Sequence, residues 1–590
     1  MAAIVLTDGG PGVPRERLGK LLDFFGIPWQ LHADPLDPPP QLARSRYAVF
    51  APIPALAEAM RRGAGPSEQL PALWQGAAAI YLYATDSPTT TSAALQLISG
   101  GVSFRVVALG SSELAVQISK VRPELAGPLS GLTAHLRPNP RDQACEIDDA
   151  TGSVERILDS RRGALLFVLQ RHGRQIFVSA SRDVPDLEAP IGGRWFDVRD
   201  DFGSCVPPVM FLKWAFRGVG WQPRESGACL IIDDPLLKHH YGFLDFGRLE
   251  RLMRERHFTT NVAFIPWNYR RTSAAVARMM VASEGRFSIS IHGCDHTGAE
   301  FGVRSVSVLN GKASLIRERM DEHARRTGVP HDWIRVFPQG VFSKVSLRAL
   351  QQRQFLAAVN TDVLPVDTDE RPTLADLWSP ALLNHFSFPL FTRRYPDLGI
   401  ENFAFDVLLG KPCLIVEHHT FFKDGGTRAA AFIDALNALN ARLDWQPLGA
   451  VIRRAYQWRV ATSSQDLYVR MFANELALKN EQGSDRTYVI EKGDRGSAGV
   501  QAVLTDRGPV AWTRQAERII ATVPLRAGEE TTVRVLYTSP PGVTEFGSSP
   551  REALRTAARR YGSEFRDDVL SRYERLDTLA ALARGVFKRR

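Results

Sequence analysis

The run Ala228-Cys229-Leu230-Ile231-Ile232-Asp233-Asp234-Pro235 decides the reading of this chain. Its uninterrupted apolar stretch fits a strand buried on both faces, and two adjacent carboxylates close it. About sixty residues later a second run, Phe287-Ser288-Ile289-Ser290-Ile291, ends in His292-Gly293-Cys294-Asp295-His296. A carboxylate and two imidazoles suit a borderline divalent ion such as zinc and leave one coordination position open for water. The other carboxylate is then free to take that water's proton. This is the minimum equipment for metal-assisted hydrolysis.

Around these motifs, residues 205–460 alternate strand and helix. Strand candidates are Cys229 to Ile232, Asn261 to Ile265, Ser288 to Ile291, Ile334 to Phe337, Ala357 to Asn360 and Cys413 to Glu417. Helical spacing marks Leu249 to Glu255, Ser273 to Val281, Ala313 to Arg326 and Arg428 to Arg442. Repeated βα units of this length predict a (β/α) barrel, and the polar residues gather at strand ends, where barrels carry their chemistry.

The chain has 590 residues, too many for one core, so further domains flank the barrel. Residues 1–204 predict an open, mostly parallel α/β domain, with Ile4-Val5-Leu6, Tyr47 to Phe50, Ala79 to Tyr83 and Phe104 to Leu109 as strands. A hairpin of Gly163 to Leu169 with Gln175 to Ser179 completes it, and Pro207-Pro208 marks the boundary. This region resembles flavodoxin-like or glutamine-amidotransferase-like domains. No cysteine sits at a nucleophile turn, so amidotransferase chemistry is unsupported. The turn Asp8-Gly9-Gly10-Pro11-Gly12 lacks both dinucleotide and P-loop spacing and reads as a tight turn. Residues 461–545 predict a β-sandwich of short strands between Gly, Asp and Asn turns. Residues 546–590 predict a basic helical tail ending Lys588-Arg589-Arg590. Its interleaved acids favour packing on its own protein over a weak contact with an anionic membrane surface.

Composition narrows the classes. The formal charge of +9 is spread along the chain and accompanies no recognition motif, which argues against a nucleic-acid partner. The five cysteines are isolated, with no CxxC pair, so the sequence predicts a reducing compartment rather than a disulfide framework. The N-terminal residues do not read as a signal peptide, and no run of about 18 or more apolar residues suggests a transmembrane segment. A cytoplasmic protein is expected; oligomeric state is not legible.

The central segment resembles the polysaccharide deacetylase family, also called carbohydrate esterase family 4. That family's first motif is a strand ending in Asp-Asp, here Asp233-Asp234; its second is His-x-x-x-His, here His292 and His296. Thr259-Thr260-Asn261-Val262-Ala263-Phe264 is similar to its second strand, and Leu414-Ile415-Val416-Glu417-His418-His419 to its late strand ending in histidine. The resemblance implies Asp233 as general base, Asp234, His292 and His296 as metal ligands, and His418 as the acid that protonates the leaving amine. The third motif, an Arg-Pro-Tyr-Gly-like turn, has drifted to Arg335-Val336-Phe337-Pro338-Gln339-Gly340. Arg335 is the accessory candidate for reaching Asp233, and the Gln339 backbone N–H for an oxyanion. His418 and His419 alternate across a strand, so at most one enters the site; His419 is the accessory alternative. Asp295 and Glu417 are candidates for orienting the ligands, and Trp267 and Tyr269 for stacking on a sugar. The expected activity is metal-dependent removal of an acyl group, acetyl above all, from an amino sugar in a glycan or glycan precursor, with Zn2+ as the cofactor. The alternatives are a non-catalytic glycan- or ligand-binding barrel and an amidase acting on a non-sugar substrate.

Overall fold

The computed structural model describes residues 1–6, 13–37, 46–62, 70–139, 142–150, 152–461, 466–495, 499–538, 549–569 and 571. The Asp8–Gly12 turn and Lys588-Arg589-Arg590 lie outside them.

The molecule is mixed α/β, with a nearly closed parallel barrel at its centre. Seven strands run side by side, in the order Leu390–Thr392, Ala357–Asn360, Ile334–Val336, Phe287–His292, Thr260–Phe264, Ser226–Asp233 and Cys413–Glu417. All their pairings are parallel. The two ends of this sheet meet at a single parallel bridge between Arg394 and Ile415, which brings the ring to the edge of closure.

Alternation along the strands separates the inside of the barrel from its outside. Cys229 and Ile231 share an inner cluster with Ala263, Val336, Val359, Phe391 and Leu414. Leu230, Ile232, Val262, Ile289, Ile291 and Ile415 belong to the outer core beneath the surrounding helices. Helix Leu448–Arg454 plugs the N-terminal end of the barrel with Leu448, Val451 and Ile452, joined by Phe472 and Ala473. The opposite, C-terminal end carries the motifs. Leu390–Thr392 leaves no mark in the sequence, because a three-residue strand shows no periodicity.

The N-terminal sheet is mixed rather than mostly parallel. Trp29–His32, Ala2–Leu6, Tyr47–Pro52, Ala79–Tyr83 and Arg174–Ser179 are parallel neighbours. Gly163–Arg171, Val154–Ser160, Leu114–Ile118 and Thr133–Leu136 extend it antiparallel. Ser103–Ala108, expected among the parallel strands, pairs antiparallel with Gln143–Asp148. Pro207 and Pro208 lie buried inside helix Phe202–Ala215 and make no break there. This helix is apolar all round because it joins two bodies: one core runs from the N-terminal sheet through it to the helices around the barrel.

A four-stranded sheet from the segment after the barrel and a six-stranded one, to which Gln222–Pro223 from before the barrel adds an edge strand, enclose one core built from Val469, Leu478, Ile490, Val523, Val533 and Tyr537. This pair of sheets docks at the N-terminal end of the barrel, where Asn474 Nδ2 donates to the Phe355 carbonyl at 2.9 Å. Among the described residues the five cysteines are free and buried, and no helix is long and apolar enough to cross a membrane.

Candidate metal centre

Strand phase delivers the side chains. Asp233 follows Cys229 and Ile231 on the inner face of its strand and is 4% exposed. The chain then leaves the strand at Asp234 with φ +75°, a left-handed conformation a non-glycine residue adopts at some cost. This turn carries the second carboxylate back over the barrel mouth. His292 ends its strand on the inner face, opposite to the outward Ile289 and Ile291. Below it, Ser290 Oγ donates to Asn261 Oδ1 at 2.6 Å and Asn261 Nδ2 donates to Ser288 Oγ at 2.9 Å, a polar ladder inside the barrel.

Asp234 Oδ1 lies 2.8 Å from His292 Nε2 and 3.1 Å from His296 Nε2. Short as they are, these contacts lack hydrogen-bond direction: Asp234 Oδ1 is buried with no hydrogen-bond partner. An orphaned carboxylate oxygen facing two imidazole nitrogens is the arrangement a cation resolves, and the donor set fits zinc. The three ligand atoms lie within 4.8 Å of one another. Burial disfavours the Asp234 carboxylate, but the two imidazoles outweigh it and hold the group well below the usual carboxylate range. His292 is pushed down by burial, only partly offset by Asp234. His292 Nδ1 is buried without a partner, so neither Asp295 nor Glu417 supplies the orienting acceptor expected of them.

The loop carrying His296 is folded around Glu300. Its carboxylate accepts the N–H groups of Cys294 at 2.6 Å, Asp295 at 3.3 Å and His296 at 3.0 Å, and pairs with Lys312 at 3.0 Å. Asp295 faces away, bound to Arg319 at 2.7 Å. Gly293, at φ +68°, lets the Glu300 carboxylate approach: an added Cβ would stand 2.4 Å from Glu300 Oε1.

Asp233 is held by Arg393, not by Arg335. The Arg393 guanidinium grips both carboxylate oxygens, at 2.7 and 2.6 Å, in a fully buried fork. Burial of Asp233 is outweighed first by Arg393 and then by His292, and its pKa is lowered. Phase explains the exchange. Arg393 follows the inward Phe391, whereas Arg335 lies between the inward Ile334 and Val336 and therefore points outward. There it donates to the Gly293 carbonyl at 2.7 Å and lies 3.6 Å from the Phe301 ring centroid. The signal that could have found Arg393 is Phe388-Pro389-Leu390-Phe391-Thr392 followed by the basic pair Arg393-Arg394.

His418 continues the inward phase of Leu414, and its field reaches Asp233. Its ring stacks on Tyr395 with centroids 6.2 Å apart and planes 7° from parallel. His419 turns the other way, packing on Phe243 at 5.9 Å with Nε2 3.8 Å from Asp567. Glu417 is pushed up by burial to about 7. Gln339 is exposed in a left-handed turn at φ +59°. Trp267 meets Tyr561 edge-on at 5.8 Å, and Tyr269 lies under Arg270 at 5.0 Å. His239, His240 and Asp245 form a second group with metal-ligand spacing, the two histidines exposed and Asp245 half-buried.

No protein-family profile and no curated protein matches the sequence. By structure the chain resembles several CE4 polysaccharide deacetylases. A putative polysaccharide deacetylase from Mycobacterium smegmatis matches at TM-score 0.29 and 14% identity, over 40% of this chain and 91% of its own. Puue allantoinase matches at TM-score 0.27 and 13% identity, over 40% and 91%. A CE4 family pseudoenzyme from Bacillus anthracis matches at TM-score 0.25 and 9% identity, over 38% of this chain; the match spans 64% of that protein. Superpositions this loose assign no activity.

Proposed function

We propose that this protein is a metal-dependent deacylase that removes an N-acyl group, acetyl above all, from an amino sugar in a glycan or glycan precursor. The observation that carries the reading is the convergence of Asp234, His292 and His296 around an unpartnered carboxylate oxygen, with the buried Asp233 beside it. Asp234, His292 and His296 would hold the ion, and zinc suits their chemistry. When bound, a divalent ion supplies Lewis acidity toward water and toward the acyl oxygen.

The chain's own residues do the rest. Arg393 keeps Asp233 ionised and fixes both its oxygens, so the carboxylate is ready to accept a proton from attacking water. His418, on the Tyr395 side of the mouth, hands a proton to the departing nitrogen. The barrel interior below is closed by packed side chains, which leaves the mouth as the way in.

Asp233→Asn tests the reading. Acetate release from N-acetylglucosamine oligomers should fall by about 10²–10⁴-fold, the contribution of a general base, while bound metal stays. Wild-type protein that holds its metal yet releases nothing from neutral or charged N-acetylated sugars would favour the ligand-binding reading. Turnover of a non-sugar amide alone would favour the amidase.

A further inference from the structure

The C-terminal helix Pro550–Asp568 lies across the barrel mouth, and it is not held there as a surface helix normally is. Its two buried residues are Arg560 and Asp567, while Leu554, Tyr561 and Phe565 are exposed. An amphipathic helix docks an apolar stripe; this one turns charge inward. Hydrogen bonds reach it from the loop after the strand Ser226–Asp233, the same rim that carries Asp234. Ion pairs from the loops after that strand and Thr260–Phe264 join them, and His419 adds a contact from the loop after Cys413–Glu417. Tyr241 donates its hydroxyl to Asp567 at 2.7 Å, and the Gly242 N–H donates to Asp568 at 2.7 Å. Lys238 and Arg271 both pair with Glu564. The Arg271 guanidinium also lies 4.6 Å from the Tyr561 ring centroid.

Every inward charge on this helix is matched except one. Asp567 has Tyr241 and Arg566, with His419 nearby. Arg560 is 6% exposed and makes no hydrogen bond among the described residues, and its Nε is buried and unpartnered. The groups whose fields reach it are Asp234, Tyr241, Asp567 and Arg271. Asp567 is already engaged, and the charge of Asp234 is committed once a cation is seated. Burial pushes the Arg560 guanidinium down from its ordinary value, yet an arginine does not lose its proton in a protein. A nearly buried guanidinium within the field of Asp234, its Nε shut off from water and without a partner, is costly unless an anion arrives with the ligand.

We propose that Arg560 is a specificity-determining residue that receives an oxyanion of the substrate, so that the preferred substrate is an N-acylated amino sugar bearing a phosphate or a carboxylate. This rests on the deacylase reading above and adds the substrate class. The guanidinium offers a planar fork matched to either oxyanion, and the helix is the wall that brings it to the mouth. The exposed Tyr561 and the Trp267 ring behind it flank the approach.

The test uses full-length, zinc-loaded protein: wild type, Arg560→Ala and Arg560→Lys, each checked for metal content and a cooperative melt. Calorimetric titration with inorganic phosphate and with glucuronate reads binding independently of turnover. At least one oxyanion should bind wild type ten-fold or more tighter than Arg560→Ala, with Arg560→Lys between them; which oxyanion it is names the source. With N-acetylglucosamine, its 6-phosphate and N-acetylglucosaminuronic acid, the charged-to-neutral ratio of kcat/KM should fall ten-fold or more in Arg560→Ala, mainly through KM. Equal binding of both anions by wild type and Arg560→Ala would overturn the proposal, as would faster turnover of every sugar by the variant, which would make the helix an inhibitory plug. Loss of turnover on all three sugars in wild type, with Arg560-dependent anion binding intact, would overturn the deacylase reading and leave the oxyanion site standing.

Discussion

Arg393 and Arg335 carry the same charge and end on opposite faces of the barrel wall. Arg393 completes a buried fork on Asp233, while Arg335 braces the Gly293 carbonyl from outside. Removing one partner of a buried ion pair leaves an uncompensated charge. Arg393→Ala should therefore cost about 3–5 kcal/mol in denaturant unfolding, and it should slow deacetylation even in the folded fraction. A melt and activity matching wild type would remove Arg393 from the account. Gly293 offers a second test at this scale. An added Cβ would be forced against Glu300 Oε1 at 2.4 Å and Pro338 Cγ at 2.8 Å, at a left-handed φ of +68°. Gly293→Ala should displace the loop that presents His296 and weaken zinc binding by about 10–100-fold, the usual penalty for disturbing the groups that support a metal site. Chelator competition measures it; an unchanged affinity would mean the loop tolerates the shift.

At the scale of elements, the strand that brings its partners to the barrel's edge is the one the sequence hid. Leu390–Thr392 is short, and the bridge to Ile415 comes two residues past its end, at Arg394. Arg394 also pairs with Asp406 at 2.6 Å, where helix Ile400–Leu409 packs behind the seam, and Lys411 stands 3.7 Å from the same carboxylate. Burial lowers Lys411 to about 8. Asp406→Ala would strand two buried cations at the seam, so a loss of about 3–5 kcal/mol in urea unfolding is expected, and a loss below about 1 kcal/mol would show the pair to be dispensable. The long runs from Ala228 and Phe287 were legible because a buried parallel strand reads as continuous apolar sequence. The closing strand and the Arg393 clamp were not, because three residues give no period and a long-range ion pair leaves no local trace. His418 and His419 were separable in principle by alternation alone; the structure adds that His419 faces the C-terminal helix.

At the scale of the molecule, the two sheets that follow the barrel and the C-terminal helix occupy opposite ends of it. Asn474 and Lys492 meet the N-terminal end, Lys492 donating to the Ser387 carbonyl at 3.4 Å. Burial pushes Lys492 down to about 7, only partly offset by Asp494. Between about pH 7 and pH 10.4 the unfolded chain therefore binds a proton the folded one does not, and stability rises with pH through that window. Below it the cost of a buried charge is present in full. Lys492→Met should raise Tm near neutral pH, with the gain shrinking toward about pH 10; a gain independent of pH would show that Lys492 is solvated. Composition could not foresee this seam, since buried lysines are identical in sequence to exposed ones.

Whether Asp234, His292 and His296 together seat one cation is decided by metal analysis. Wild-type protein saturated with zinc and dialysed should keep about one equivalent, and Asp234→Ala and His292→Ala should each lose it while still melting cooperatively. A wild type that emerges free of metal, or an Asp234→Ala variant that keeps the full equivalent, would contradict a shared cation site.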